Sequence, residues 1–311
     1  MYKCTYFGTR IQYTFYYYNN DYVSASEEVA CSFLSTDMST AVFKRQDLRH
    51  WSRFGCIQDI SVVSSDYILL CNDSTENVKL VNTRDGRVLS EVSVTSSWAN
   101  IFFSSYMRYR LSYRLSLIRK DRAAVAFPNK IQFINIQGQS ITLGTVLTLN
   151  YYPRDVSRCG KSDLVVSYKT APWLEVISPD GSVLHQFRQT GATSHFKNPN
   201  YLTTSVDGYI YVSDWGTKTI TKLNSSLQLL QTFSDPLLDL PYGMVSISPD
   251  QLLVCSFWKD RIVLLNTRTG KSSILLGKQD GIKSPWSLSY CPEQEKLYVS
   301  GSRSLKVYNL S

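Results

Sequence analysis

Histidine is the scarcest residue type in this sequence, with three among 311 residues. His50, His185 and His195 stand at no metal-ligand spacing from another histidine or from a cysteine, which argues against a zinc site. The sequence also lacks a G-x-S-x-G motif, a Walker A loop and a dinucleotide-binding fingerprint. We therefore predict neither a bound metal nor a cofactor.

Long apolar runs are absent as well. No stretch approaches the roughly 18 apolar residues of a membrane span, and the N-terminal region lacks the apolar core of a signal peptide. The seven cysteines are odd in number and show no C-x-x-C spacing, which favours buried thiols over disulfides or metal ligands. We expect a cytoplasmic protein without membrane contact.

What the sequence does contain is a repeat. An apolar run ends in a small residue, a polar turn follows, and a second apolar run ends in a polar residue. The intervals between successive small residues are 55, 41, 46, 42 and 45 residues, which is typical of a β-propeller. The six small residues are Cys71, Ala126, Ser167, Ser213, Cys255 and Ser300.

Prolines mark where most of these units begin. Pro153, Pro199, Pro241 and Pro285 precede the small residue by 14 or 15 positions, and proline suits the start of a strand. Each unit therefore predicts four antiparallel strands, but the last unit ends one strand short. We predict an all-β, six-bladed β-propeller over residues 37–311, in which the N-terminal segment Thr40–Lys44 supplies the missing strand. Residues 1–36 are predicted to be a tyrosine-rich, poorly ordered tail.

The first interval exceeds the others, and we assign the surplus to residues 102–117 of blade two. This segment is either a protruding loop or short helix, or an insertion introduced by splicing or gene prediction. Residues 101–150 carry seven basic residues and one acidic residue, which is +6 of the net charge of +8. An Arg- and Tyr-rich projection could contact phosphates and stack on bases, but we favour a solvated or disordered loop. The candidate nucleic-acid contacts are Arg108, Arg110, Arg114, Arg119, Lys120 and Arg122.

One face of the predicted ring collects aromatic and basic residues. In a four-stranded meander, the connection into the innermost strand and the turn between strands two and three share a face. Trp, Tyr and Arg are enriched at binding hot spots. Aromatic residues beside the prolines can instead wedge blades together, which we favour for Trp98 and Trp286. The candidate partner contacts are Arg154, Lys169, Tyr201, Trp215, Tyr242, Trp258, Lys259 and Arg303.

Carboxylates offer the only candidates for catalysis. Asp59 and Asp155 lie two residues into a predicted innermost strand and could face the central channel, and Asp214 is a third candidate. The matching positions in other blades are Tyr201, Gly243 and Ser287, and aspartate near a strand start is often a turn residue. We therefore predict that the chain is not an enzyme.

Residues 196–224 resemble an NHL repeat, which runs F-x-x-P, an apolar stretch, D-G-x-I-Y-V-x-D and a turn. The resemblance is specific over this repeat and degenerate over residues 55–311. The matching residues are Phe196, Pro199, Asp207, Gly208, Tyr211, Val212 and Asp214.

The repeat region is similar overall to the C-terminal propellers of animal tripartite-motif proteins of the NHL class. In that family the propeller recruits protein targets or, in some members, RNA, while upstream RING and B-box modules support ubiquitin ligation. This sequence has no such Cys/His framework. The resemblance therefore implies a propeller that binds a protein partner, with RNA binding as the alternative. A metal-dependent hydrolase or lyase of propeller fold is the second alternative, and the oligomeric state stays open.

Overall fold

The computed structural model describes residues 3–7, 10–14, 43–46, 57–72, 76–94, 113–127, 129–168, 172–188, 194–301 and 304–310. These residues form six four-stranded antiparallel sheets and one separate hairpin of β1 (Lys3–Phe7) and β2 (Arg10–Thr14). Across the described ranges, no helix has the length and apolarity needed to traverse a bilayer. The fold is an all-β, six-bladed propeller, which confirms the predicted fold class.

Each blade is an antiparallel meander whose first strand lies innermost. Preceded by β3 (Phe43–Gln46), blades one to three contain β4 (Ile57–Val62), β5 (Tyr67–Asn72), β6 (Asn77–Asn82), β7 (Val88–Ser93), β8 (Arg114–Arg119), β9 (Arg122–Phe127), β10 (Lys130–Gln137), β11 (Ser140–Thr148), β12 (Pro153–Cys159), β13 (Asp163–Tyr168), β14 (Leu174–Ile177) and β15 (Val183–Phe187).

Blades four to six follow in the same way, and β3 completes the last of them. Their strands are β16 (Pro199–Thr204), β17 (Ile210–Asp214), β18 (Thr219–Leu223), β19 (Leu229–Phe233), β20 (Pro241–Ser248), β21 (Gln251–Ser256), β22 (Arg261–Asn266), β23 (Ser272–Leu276), β24 (Pro285–Cys291), β25 (Lys296–Gly301) and β26 (Ser304–Leu310). Single 3-10 turns lie at Pro236–Leu238, Phe257–Lys259 and Lys278–Asp280.

The ring is closed at two levels. The inner strands contact one another in the order β4, β8, β12, β16, β20 and β24, and β24 contacts β4. The outer edge of blade six is closed by β3, because Phe43 to Gln46 pair antiparallel with Leu310 to Val307. The predicted N-terminal closing strand is confirmed at Phe43 and Lys44 and extends to Gln46, whereas residues 40–42 lie outside the described part of the chain. Each of the six described blades therefore has four strands, and β3 covers the edge of β26 that would otherwise be exposed.

The core is divided among the contacts between blades. Six clusters of buried apolar residues each lie between two neighbouring blades. The second strand of each blade is covered on both sides, as in β13 (DLVVSY) and β21 (QLLVCS). Such strands read as continuous apolar runs because neither face meets water. Fourth strands such as β15 lie at the rim and are mostly exposed.

Blade two corrects the prediction of an insertion over residues 102–117. Arg114 to Leu117 belong to the regular inner strand β8, which pairs with β9 as its counterparts do in the other blades. Tyr113, just before this strand, is buried and meets Phe127 edge-on with ring centroids 5.1 Å apart. These residues are part of the repeat, whereas residues 102–112 lie outside the described part of the chain.

Candidate binding site on the ring axis

Five of the six inner strands have a shift in pairing register near their first residue, and β8 is the exception. The pairing register shifts between Pro153 and Asp155, between Pro199 and Tyr201, and between Pro285 and Ser287. A bulge re-aims the side chains beside it. We call the face of the ring at which the inner strands begin the top face. We call the residues that stand twelve positions before the repeated small residue, or thirteen in blade six, the axial ring. The axial ring comprises Asp59, Arg114, Asp155, Tyr201, Gly243 and Ser287.

The repeated small residues lie beside the axial ring. Asp155 stands directly opposite Ser167, Tyr201 opposite Ser213, and Arg114 opposite Ala126. Directly opposed residues in an antiparallel pair project from the same face of the sheet. A small side chain on the second strand therefore leaves room for a large or charged one on the inner strand.

Asp59 joins three blades through its carboxylate. Its Oδ2 accepts a hydrogen bond from the backbone N–H of Leu115 in blade two at 2.8 Å. Its Oδ1 accepts from the N–H of Ile60 at 3.0 Å and from the hydroxyl of Ser287 in blade six. Burial raises the pKa of Asp59, and the charge of Arg114 opposes this rise.

Asp155 repeats the arrangement between blades three and four. Its two oxygens accept from the N–H of Val156 at 2.8 Å and from that of Leu202 at 2.7 Å. Burial raises the pKa of Asp155 to about 8, and the charge of Asp59 adds to this rise while Arg114 counteracts it. Burial therefore favours the neutral, protonated form of Asp155.

Arg114 crosses the centre of the ring. Its guanidinium carbon lies 3.8 Å from the ring centroid of Tyr201, although blades two and four are not neighbours. Its Nη1 donates to the carbonyl oxygen of Gln58 at 3.2 Å. Burial works against its charge, but the phenol of Tyr201 and the carboxylates of Asp59 and Asp155 raise the pKa of Arg114. Arg114 is thus the central cation of the axial ring.

Several hydrogen-bond donors in and next to the axial ring have no acceptor among the described residues. The Nε of Arg154 donates to Oδ1 of Asn200 at 2.7 Å, which leaves the Nδ2 of Asn200 buried without a partner. The Nε of Arg114, the hydroxyl of Tyr201 and the Nε1 of Trp286 are likewise buried without a partner among the described residues. A buried polar group without a hydrogen bond costs about 1–3 kcal/mol, so this concentration points to a ligand or water position.

An aromatic surface covers the top face of blades four to six. Tyr242 stacks on Phe257 with centroids 4.8 Å apart, and lies 6.0 Å from Trp286 and 6.4 Å from Trp215. Trp215 is 36% exposed, and Trp258 is 71% exposed on its 3-10 turn. We call the set Trp215, Tyr242, Phe257, Trp258 and Trp286 the top-face aromatic surface.

The predicted partner contacts separate into four groups. Trp215, Trp258 and Lys259 lie on turns of the top face, with Lys259 at 3.8 Å from Asp239. Arg154 and Tyr242 are half-buried beside them. Tyr201 is buried to 3% exposure beneath Arg114, so the prediction that it contacts a partner directly is wrong. Lys169 and Arg303 lie outside the described residues.

The predicted nucleic-acid contacts do not form one surface. Arg114 is 2% exposed at the axis and is unavailable to nucleic acid, which corrects its assignment. Arg119, Lys120 and Arg122 lie at the β8–β9 turn on the face opposite the top face, where Arg119 pairs with Asp121 at 3.0 Å. Arg108 and Arg110 lie outside the described residues.

Asp214 has a structural role that explains its place in the repeat motif. Its carboxylate accepts hydrogen bonds from the backbone N–H groups of Lys197, Asn198, Gly216 and Thr217. It thereby ties the β17–β18 turn to the segment that leads into β16. Asp214 is fully buried and makes no contribution to the axial ring.

The axial residues do not fit a divalent metal ion. Both oxygens of Asp59 and of Asp155 already accept backbone hydrogen bonds, and Arg114 lies between them. Throughout the described ranges, no three His, Cys, Asp or Glu side chains group as metal ligands.

Comparisons with known proteins concern the fold alone. No protein-family model and no curated protein matches the sequence. A streptogramin B lyase structure is 12% identical with a TM-score of 0.59, over 83% of this chain and 94% of that one. A catalytically inactive virginiamycin B lyase from Staphylococcus aureus, solved with quinupristin, is 14% identical with a TM-score of 0.55, over 86% and 88%. A protein of unknown function from Bacteroides thetaiotaomicron is 15% identical with a TM-score of 0.61, over 83% and 70%.

These comparisons correct one prediction and leave another open. The prediction that the chain is not an enzyme is contradicted, because two of the similar structures are lyases built on the same propeller. The prediction had considered Asp59 and Asp155 as residues facing the channel, and had rejected them because the matching positions in three other blades carry no carboxylate. The resemblance to NHL repeats has no matching family model and stays a hypothesis.

Proposed function

We propose that this protein is a binding propeller that recruits a protein partner through its top-face aromatic surface. The observation that carries this proposal is Trp258, which is 71% exposed and directly follows Phe257, a ring that contacts Tyr242 and Trp286. Exposed tryptophan next to a packed aromatic cluster is typical of binding hot spots, because it offers a large apolar area with little loss of side-chain entropy.

The surroundings of the surface support a protein ligand. Lys218 and Lys259 flank it and share Asp239, at 2.6 and 3.8 Å, so a charged rim borders the aromatic centre. Protein interfaces have this arrangement of an apolar centre and a polar rim. The resemblance to tripartite-motif propellers supports the same role, that of the target-binding part of a larger ubiquitin-ligation system.

The proposal is tested by affinity capture with quantitative mass spectrometry. We expect the double variant Trp215→Ala and Trp258→Ala to capture at least tenfold less of the partner than the wild-type protein captures. Val206→Ala is the matched control, because Val206 is a 78% exposed apolar residue on the opposite face. Equal retention by all three proteins would contradict the proposal.

A lyase reaction at the ring axis is a second candidate, favoured by the two lyases of the same fold. Elimination needs a group that takes a proton and a group that gives one. Burial and the charge of Asp59 both favour the protonated form of Asp155, which is the form that can give a proton. Quinupristin is a suitable first probe, with its conversion followed by chromatography and mass spectrometry. Conversion by the wild-type protein but not by Asp155→Asn would support this candidate, and no conversion by either would remove quinupristin-type substrates.

A further inference from the structure

We propose that the partner inserts a carboxylate, from an Asp or Glu side chain, between Arg154 and Asn200 at the top of the ring axis. This inference rests on the proposed binding function and specifies the ligand chemistry of that same site. It starts from the excess of hydrogen-bond donors around the axis.

The carboxylates of the axial ring do not neutralise the guanidinium groups by direct contact. Within the described residues, neither Asp59 nor Asp155 forms an ion pair with Arg114 or Arg154, because their oxygens accept backbone N–H groups instead. Among the described residues, Arg114 donates only to the carbonyl oxygen of Gln58, and its Nε has no acceptor there.

Arg154 places its charge within reach of a ligand. It is half-buried, and the one hydrogen bond that it makes to a described residue uses Nε, so both terminal nitrogens remain free to donate. Burial lowers the pKa of Arg154, and the neighbouring charge of Arg114 lowers it further. Two guanidinium groups that repel each other in a partly dry site are stabilised when an anion arrives.

Asn200 supplies a further donor at the same place. Because its Oδ1 accepts from Arg154, its Nδ2 is the end that remains unpaired, and the residue is 1% exposed. A carboxylate offers two oxygens in the planar arrangement that a guanidinium fork recognises. One oxygen can accept from the terminal nitrogens of Arg154 and the other from Nδ2 of Asn200.

The aromatic surface adjoins this donor pair and restricts the partner sequence. Tyr242 affects the pKa of Arg154 and packs 5.6 Å from Tyr201, so the two parts of the site are continuous. A partner segment would therefore carry an acidic residue close to aromatic or aliphatic residues that cover Trp215 and Trp258.

The test begins with selection of random twelve-residue peptides on the full-length wild-type protein. Selected peptides are synthesised with their acidic residue as Glu, Gln or phosphoserine, and titrated by calorimetry. We expect enrichment of Asp or Glu beside apolar residues, and at least tenfold weaker binding of the Gln version. We expect Arg154→Gln to bind the Glu and Gln versions equally, and Arg154→Lys to retain part of the preference. Lys161→Gln, an exposed position on the opposite face, should bind like the wild type.

The failures of the two proposals can be told apart. Peptides that need Trp258 but bind equally as Glu and Gln would overturn the carboxylate inference and leave the binding function intact. Binding only of the phosphoserine version would also overturn it. Peptides whose affinity depends on neither Trp258 nor Arg154 would count against both proposals. Thermal melting of each variant confirms that it is folded.

Discussion

At the scale of single residues, the axial carboxylates are the most informative feature. A carboxylate in a dry site favours its neutral form unless cations or donors compensate for the lost hydration. Asp155 receives two backbone hydrogen bonds, yet burial and the charge of Asp59 still raise its pKa. The charge of Asp155, and with it the charge of the axial ring, therefore depends on the pH of the solution.

The stability of the protein depends on pH for the same reason. The pKa of Asp155 rises on folding from 3.8 to about 8, so the folded state binds more protons between these values, and stability falls as pH increases across that window. The contribution reaches about 1.4 kcal/mol per pH unit. Asp155→Asn should flatten the decline of stability between pH 5 and 7, measured as the urea midpoint at each pH. The amide of this variant also lowers stability at every pH. Asp121→Asn, at an exposed turn, is the control and should keep the wild-type slope of urea midpoint against pH. An unchanged slope in Asp155→Asn would contradict the prediction.

Asp214 gives a second prediction at this scale. Its replacement by alanine leaves four backbone N–H groups without their acceptor in a buried turn. We expect a loss of about 3 kcal/mol or more in the free energy of unfolding. Asp207→Ala, at a neighbouring exposed turn, should stay within about 0.5 kcal/mol of wild type. Similar losses for both variants in chemical denaturation would show that the hydrogen-bonded turn is not the cause.

Some axial residues could be located from the sequence and one could not. Asp59, Asp155, Tyr201 and Gly243 each precede a repeated small residue by twelve positions, and their alignment between blades is visible without a structure. Arg114 precedes Ala126 by the same interval, but the assumed insertion concealed this signal. That Arg114 reaches Tyr201 across the ring depends on long-range packing, which local spacing does not encode.

At the scale of the strand, the closing strand β3 has a role that its sequence position hides. It covers β26, which would otherwise be an exposed sheet edge. A chain that begins at residue 37 keeps β3, and a chain that begins at residue 47 loses it. We expect the shorter chain to melt about 5–10 °C lower and to aggregate, because a ladder of backbone hydrogen bonds is missing. Calorimetry measures the melting temperatures of the two chains, and size-exclusion chromatography measures their aggregation. Equal melting temperatures and equal elution profiles would refute the prediction.

The inner strand β20 shows how closely the blades approach one another. A Cβ added at Gly243 would lie 2.5 Å from the carbonyl oxygen of Trp286 and 2.7 Å from the Cα of Ser287. Since backbone atoms of blade six cannot give way cheaply, Gly243→Ala should cost about 1–3 kcal/mol. Ser273→Ala on the exposed rim strand serves as the comparison in urea denaturation and should be near neutral. A neutral Gly243→Ala would mean that blades five and six are separated more widely than described.

At the scale of the whole molecule, the two faces of the ring differ in chemistry. The top face carries the aromatic surface and the axial donors, whereas Arg119, Lys120 and Arg122 belong to the opposite face. The repeat spacing predicted the ring and its closure, because every blade repeats the same local pattern. The sequence did not predict that Arg114 lies at the axis while Arg119, Lys120 and Arg122 lie on the opposite face. That prediction would have required the correct strand register of blade two.

This separation leads to a prediction about binding. The triple variant Arg119→Gln, Lys120→Gln and Arg122→Gln should retain the partner that the wild-type protein captures, because it leaves the top face unchanged. Filter binding of RNA across a salt series provides the complementary measurement. Salt-sensitive RNA binding that the triple variant abolishes would indicate that the opposite face is the functional one.

The pairing of β3 with β26 also has a consequence for biosynthesis. Gln46 leaves the ribosome long before Val307, its neighbour in blade six, has been translated. The early segment must therefore wait without its partner while blades one to five assemble, and the final sheet forms only after the last strand emerges. During that interval β3 lacks the strand with which it pairs in the finished ring.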